Sequence, residues 1–253
     1  MFKFAYDEGL TDSPLIRGRQ FRPPSRSVLR KDRQKRGPKL FSPEECLALL
    51  RGADLQLRAM ILLGLNCGFG NTDCADLPRS ALDLDRGRLD FARPKTGIER
   101  KAALWPETVD VLRFALAERR DPKDAEDADL VFVTRKRRRF VRTTRNPDGT
   151  TSTTDAIAQA FAKARAAAGV EPGRGFYTLR RTFRTHADAA LDQPAADLIM
   201  GHTDESMAAI YRQQIGWNRL EAVAETVRER ILPDFTPPGE GKGPRPYQVG
   251  ELQ

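Results

Sequence analysis

Apolar residues recur every three or four positions along most of the chain, which predicts helices rather than strands. After Asp54, the residues Leu57, Met60, Ile61 and Leu65 share one helical face, and Cys67-Gly68-Phe69-Gly70-Asn71 ends that helix. Upstream, Ser42-Pro43-Glu44-Glu45 combines a capping serine, a first-turn proline and a capping-box acid, so the folded body starts there with a helix to about Leu50. Thr72 is a candidate cap for a short helix over 73–77. Two short strands, roughly 88–93 and 99–104, flank Pro94-Lys95-Thr96-Gly97 as a hairpin. Trp105-Pro106-Glu107 opens a helix to about Arg119, and 130–133 reads as a short buried strand. Residues 136–152 are charged, then rich in Gly and Thr, and read as a mobile surface loop. An alanine-rich helix over 154–168 is closed by Gly169. Helices over 179–191 and 194–200, one starting near Asp204, and a last one over 217–231 follow. In the last, Leu220, Val223, Val227 and Ile231 fall on a helical period.

The ends differ in pattern. Residues 2–8 read as the last turns of a helix. Pro14, Pro23, Pro24 and Pro38 break 12–39 into an extended arm. Residues 233–253 hold five prolines and four glycines and are expected to be disordered or loosely docked. The predicted fold class is mainly α with a small antiparallel β-sheet (α+β). The predicted division is a linker region over 1–39, a folded body over 40–232 and a tail over 233–253.

Composition narrows the chemistry. The 253 residues are 40% hydrophobic and 31% charged, enough for one sizeable core and unlike a collagen or a coiled coil. No stretch approaches the ~18 apolar residues of a membrane span, and the N-terminus lacks a signal-peptide pattern. No membrane association is expected. Three cysteines without a CxxC pair suggest a reducing compartment, and two histidines exclude a zinc site built from several His. No metal and no cofactor are expected, and the location expected is cytoplasmic, with the nucleoid.

Charge then points to a partner. The formal net charge is +8, and residues 1–40 carry 11 basic against 4 acidic residues, leaving 32 and 31 for the rest. Arg22, Arg26, Arg30, Lys31, Arg33, Lys35 and Arg36 belong to the first run, and Arg135, Lys136, Arg137, Arg138, Arg139 and Arg142 to a second. Dense positive runs on a nearly neutral body favour a polyanion, here double-stranded DNA. Each run alone reads equally well as a solvated linker or loop. RNA is a weaker fit because few aromatics interleave the charges.

Four separated segments bear on chemistry: Lys95 in the hairpin, Leu179-Arg180-Arg181-Thr182-Phe183, Gly201-His202, and Ile210-Tyr211. Taken in this order over about residues 40–231, they resemble the catalytic domain of the tyrosine recombinases, the phage integrase family. Lys95-Thr96-Gly97 through Arg100 and Leu104 is similar to the family's hairpin signal. Arg180-Arg181-Thr182-Phe183 is similar to its Arg-His-Thr-Phe helix, and Gly201-His202 with Tyr211 to its Gly-His and tyrosine motif. The resemblance implies the tyrosine-recombinase catalytic-domain fold and metal-free DNA strand exchange through a 3′-phosphotyrosyl intermediate. It implies Tyr211 as nucleophile, Arg180 as phosphate clamp, Lys95 as general acid and His202 as hydrogen-bond donor to phosphate. Residues 1–39 then resemble the remnant of a preceding DNA-binding domain with its basic linker. A homo-oligomer on DNA and a monomer when free are expected. Plainer roles exist for each residue: Arg180 pairing with Asp188, His202 as a helix cap, Lys95 as a solvated turn, Tyr211 as a half-buried helix residue. His186 has no part in the pattern and is expected to be structural.

Two positions depart from the family. Gly70 stands where the first phosphate-clamping arginine belongs, and Tyr177, three before Arg180, replaces the usual histidine. Losing one clamp from a transition state costs about 3 kcal/mol, on the order of a hundredfold in rate; a tyrosine hydroxyl still donates to phosphate. Arg58, Arg79 and the 135–145 run are the candidate sources of a replacement charge. The expected function is therefore a site-specific recombinase weakened at these positions. The alternatives are a catalytically inactive DNA-binding protein of the same fold, and a scaffold that binds no DNA.

Overall fold

The computed structural model describes residues 2–13, 24–202 and 214–232. The chain divides into two compact units, Met1–Pro38 and Lys39–Gln253. The first holds α1 (Phe2–Asp7) and α2 (Arg26–Arg36). The predicted extended arm is thus helical over Arg26–Arg36. The prolines flank this segment rather than interrupt it: Ser25 Oγ accepts from Val28 N at 3.3 Å, and Gly37 with φ 66° closes the helix. Arg22 lies outside the described residues.

The second unit starts with α3 (Pro43–Gly52) and α4 (Leu55–Cys67). The predicted capping box is present: Ser42 Oγ accepts from Glu45 N at 3.2 Å, and Glu45 Oε2 accepts from Ser42 N at 3.0 Å. Asp54 caps α4 through Leu57 N at 2.9 Å. Helix α4 is buried without a break from Ala59 to Cys67, so it is the central element rather than a one-faced surface helix. Around it pack α3, α6 (Pro106–Ala117), α7 (Ala156–Ala167), α8 (Thr178–Ala187) and α10 (Trp217–Ile231); α9 (Gln193–Met200) packs on α10. The α4–α8 approach is close because position 64 lacks a side chain. A Cβ on Gly64 would lie 2.9 Å from Leu179 Cβ.

The small sheet is antiparallel, ordered β1 (Leu82–Asp83), β2 (Arg88–Asp90), β3 (Lys101–Ala103), with Leu89 opposite Ala102. The strands are shorter than predicted, and the hairpin arm beyond Asp90 continues only through single bonds such as Arg93 N to Ile98 O at 2.8 Å. The short helix after Gly70 is α5 (Asn71–Ala75), and its cap is Gly70 rather than Thr72. Leu130–Val133 is buried as expected but makes no ladder, only a bridge from Leu130 to Pro78. The 136–152 region is not a plain loop. Val141–Arg145 (β4) and Thr151–Asp155 (β5) form a second antiparallel hairpin around Asn146-Pro147-Asp148-Gly149. Its threonines are polar but β-branched, which suits a solvated two-stranded ribbon. The helix near Asp204 and the tail 233–253 lie outside the described residues.

Two polar contacts lock the sheet onto the helices. Asn66, fully buried on α4, donates Nδ2–H to Ala103 O at 2.9 Å and accepts from Trp105 N at 2.8 Å. Trp105 Nε1–H donates to Ala224 O on α10 at 2.8 Å. Asn66→Ala leaves a buried carbonyl and a buried N–H unpaired; urea unfolding should show a loss of about 2–4 kcal/mol, most of it absent in a surface control such as Asp85→Ala.

Candidate active site

The site is built on the N-terminal half of α8. Arg180 is only 2% exposed. One Nη1–H donates to Gly68 O, Nη2 donates to Met200 O at 2.8 Å, and Nη2 lies 2.8 Å from His202 Nε2. Gly68 and Gly201 both cap helices in the left-handed region, with φ 64° and 61°. The guanidinium therefore sits against the C-terminal, electronegative ends of α4 and α9 at once. Asp188 does not take it; that carboxylate pairs with Arg184 at 3.1 Å.

Arg180 thus fixes the turn that carries His202. The ring is also held by Asp197, whose Oδ1 lies 3.5 Å from Nδ1 and whose backbone oxygen accepts from His202 N at 2.9 Å. With Nδ1 toward Asp197, Nε2 accepts from Arg180. Burial first, and the Arg180 cation second, push the His202 pKa below its ordinary 6.5, against the pull of Asp197. The ring is neutral at neutral pH, so Nε2 has no proton to donate until the ring is protonated or changes tautomer. His186 is half-buried on α8, and burial together with Arg230 also lowers its pKa.

Next to this lies a cleft of about 690 Å³ between the start of α5, the β2–β3 hairpin and Tyr177. Gly70, Arg93, Lys95 and Tyr177 all line it. Lys95 is exposed at the hairpin turn, and Tyr177 is 51% exposed with its ring against the Gly70 turn. The structure therefore brings Arg180 and His202 into direct contact and sets Lys95 and Tyr177 on an adjoining cleft. Tyr211 lies outside the described residues.

The turn at Gly70 has its own support. Gly70 N donates to Asp73 Oδ2 at 2.7 Å, and Asp73 Oδ1 accepts from Arg100 Nη2 at 2.8 Å. Arg100 is completely buried, with its guanidinium 4.3 Å above the Phe69 ring. Its Nε and Nη1 find no hydrogen-bond partner. Burial lowers the pKa of Arg180, Arg93 adds to the effect, and Asp73 opposes it. Arg93 and Asp73 have no part in the motif pattern of the sequence, and Arg100 enters it only through the hairpin signal. The signal available was an acid in the capping-box position after Gly70 and two arginines bracketing the Lys95 turn.

Of the candidate replacement charges, Arg58, Arg79, Arg137 and Arg139 are engaged elsewhere. Arg58 donates to Leu50 O and Ala53 O at 2.8 and 3.0 Å. Arg79 donates to Ala128 O at 3.1 Å and lies 3.6 Å from Asp129. Arg139 bridges Asp127 at 2.7 Å and Asp76 at 3.3 Å, while Arg137 Nε donates to Asp121 O at 2.6 Å. Arg135, Lys136 and Arg138 are exposed, Arg142 is half-buried on β4, and Arg26, Arg30, Lys31 and Lys35 are exposed on α2, which also carries Arg33 and Arg36. Among the described residues no group of three His, Cys, Asp or Glu is arranged to hold a metal, and no helix is long and apolar enough to cross a membrane.

The sequence profile of the phage integrase family matches residues 41–215. Similar solved structures include the Tn1549 transposon integrase (residues 82–397) in complex with circular intermediate DNA, at 18% identity and TM-score 0.57, covering 88% of this chain and 76% of that one. A dimer of lambda integrase residues 75–356 bound to a COC′ core site matches at 15% and 0.51, covering 85% and 71%. The XerA recombinase matches at 21% and 0.50, covering 76% and 66%, so this chain spans about two thirds of its length. At these identities the likeness is one of fold. No match was found among curated protein sequences.

Both histidines have folded-state pKa values below the unfolded 6.5. The unfolded chain takes up these protons first, so stability is full above that value and is lost as pH falls through it. The thermal midpoint should drop between about pH 7 and pH 5, and the drop should be shallower in a His186→Gln/His202→Gln double variant. Parallel profiles for the two proteins would contradict the assignment.

Proposed function

The chain belongs to the phage integrase family, and from that premise we propose that it is a DNA-binding site-specific recombinase that cleaves and rejoins double-stranded DNA through a 3′-phosphotyrosyl intermediate. The observation that carries this reading is Arg180, buried, tied to two helix ends and 2.8 Å from His202, beside a cleft rimmed by Lys95 and Tyr177. Tyr211 attacks the scissile phosphorus, the bond to the 5′ oxygen breaks, and Lys95 protonates that oxygen. A net proton transfer from the tyrosine hydroxyl to the leaving oxygen balances the step. A phenol with a pKa near 10 needs this assistance.

Arg180 has the donors for its part. A guanidinium carries five N–H groups, and three go to Gly68 O, Met200 O and His202. The remaining two are available to non-bridging phosphate oxygens, where negative charge builds in the transition state. Its fixed position costs no reorganisation when the phosphate arrives. His202 and the Tyr177 hydroxyl add hydrogen bonds to the same phosphate.

DNA is held by phosphate contacts from α2 and from the second basic run. Within that run the exposed Arg135, Lys136 and Arg138, with Arg142 on β4, face the duplex, while Arg139 chiefly orients the segment through Asp127 and Asp76. Such contacts fix position and carry little sequence information. Paired strand exchange calls for a homo-oligomer on DNA, and the free protein is expected to be a monomer. Gly70 favours a second reading, a recombinase-fold protein that binds DNA without cleaving it.

Nicked duplexes with randomised cores separate the two readings. The recombinase forms a covalent protein–DNA adduct with a subset of them, and Tyr211→Phe abolishes it while retaining the mobility shift. Binding without adduct favours the second reading. In either case affinity should fall on the order of a hundredfold or more between about 50 and 200 mM salt; a salt-independent shift contradicts the phosphate-contact account.

A further inference from the structure

Gly70 removes one cation from the phosphate site, yet two guanidinium groups stand beside it. Arg100 is the less suitable. It is completely buried, bonded to Asp73 and stacked on Phe69, so a DNA backbone does not reach it.

Arg93 is placed differently. Its backbone is fixed at the neck of the hairpin: the N–H donates to Ile98 O at 2.8 Å, and the carbonyl accepts from Thr96 N and Gly97 N at 3.1 and 2.8 Å. Its stem runs along the turn that carries His202, since a Cβ on Gly201 would lie 3.3 Å from Arg93 Cβ. Its side chain lines the same cleft as Gly70, Lys95 and Tyr177. Its Nε is buried without a hydrogen-bond partner, and among the described residues no carboxylate forms an ion pair with it. An unpaired guanidinium held partly out of water is unfavourable alone and favourable around an anion.

We propose that Arg93 is a catalytic residue that supplies the second phosphate-clamping guanidinium, entering from the hairpin wall of the cleft in place of a side chain at position 70. The proposal rests on the recombinase reading. It gives the scissile phosphate two cations from opposite sides, Arg180 from the helix wall and Arg93 from the hairpin, with Lys95 two residues away for the leaving oxygen. Like-charge repulsion is consistent with this placement, because Arg93 is the first charged group among the causes that lower the Arg180 pKa. A phosphate between two such groups relieves the repulsion.

The test uses a nicked duplex selected from the randomised pool by adduct formation with the unaltered full chain. Arg93→Ala should slow adduct formation on the order of a hundredfold while the mobility shift stays within a few fold. Arg93→Lys should recover part of the rate, since it keeps the charge but not the planar donor set. Gly70→Arg in the Arg93→Ala background should restore at least tenfold. Position 70 has φ −99°, which any residue adopts, and a merely structural role for Arg93 is not rescued by a guanidinium from the opposite wall. An Arg93→Ala rate equal to that of the unaltered protein overturns this inference alone. So does a joint loss of binding and cleavage that neither second variant repairs. Failure of the unaltered protein to form any adduct, with DNA binding intact, overturns the recombinase reading and this inference with it.

Discussion

The arrangement depends on one buried guanidinium. Arg180 joins the carbonyl ends of α4 and α9, two helices whose C-termini would otherwise leave electronegative groups facing each other inside the protein. Burying a cation is costly, and here the cost is offset by helix dipoles and by hydrogen bonds to carbonyls rather than by a salt bridge. That choice matters for chemistry. A carboxylate partner would compete with an incoming phosphate, whereas neutral carbonyls hold the side chain and leave its charge for an anion. The same contact fixes the Gly201-His202 turn, so one side chain sets both the guanidinium and the histidine in place.

A second buried arginine shows the opposite solution. Arg100 is neutralised by Asp73 at 2.8 Å, and Asp73 in turn holds the Gly70 N–H at 2.7 Å. This pair supports the wall of the cleft rather than working in it. Removing Asp73 alone would strand a completely buried charge, the situation in which buried ion pairs matter most. The cleft thus has a wall at Asp73 backed by a buried arginine, and rims that carry Lys95, Arg93 and Tyr177.

Much of this was legible in the sequence where the controlling interaction is local. Ser42 and Glu45, Asp54, Gly68 and Gly201 mark helix ends through bonds within a few residues, and those ends appear where the pattern put them. The Lys95 hairpin and the Arg180 helix were readable for the same reason. Features set by non-local balance were not. Helix α2 was hidden by prolines that flank it, and the β4–β5 ribbon by threonines whose polarity suggested a loop although their branching favours a strand. The Asp73–Arg100 pair spans 27 positions, and nothing within a short window shows that Arg100 turns inward while Lys101 turns out. A still longer separation in sequence concealed Arg93 beside Gly201.

The described chain on either side of residues 203–213 is anchored to the body. Tyr211 lies nine residues after His202 and six before Trp217. His202 is tied to Arg180 and Asp197, while the start of α10 is tied by Arg88 stacking 4.4 Å from the Trp217 ring and by Arg219 gripping both oxygens of Asp192 at 2.7 Å. Six residues of chain span at most about 20 Å. On the proposed strand exchange, a guanidinium held in place before DNA binds requires the DNA to bring its phosphate to the protein, which is the task that the exposed arginines and lysines are suited to perform.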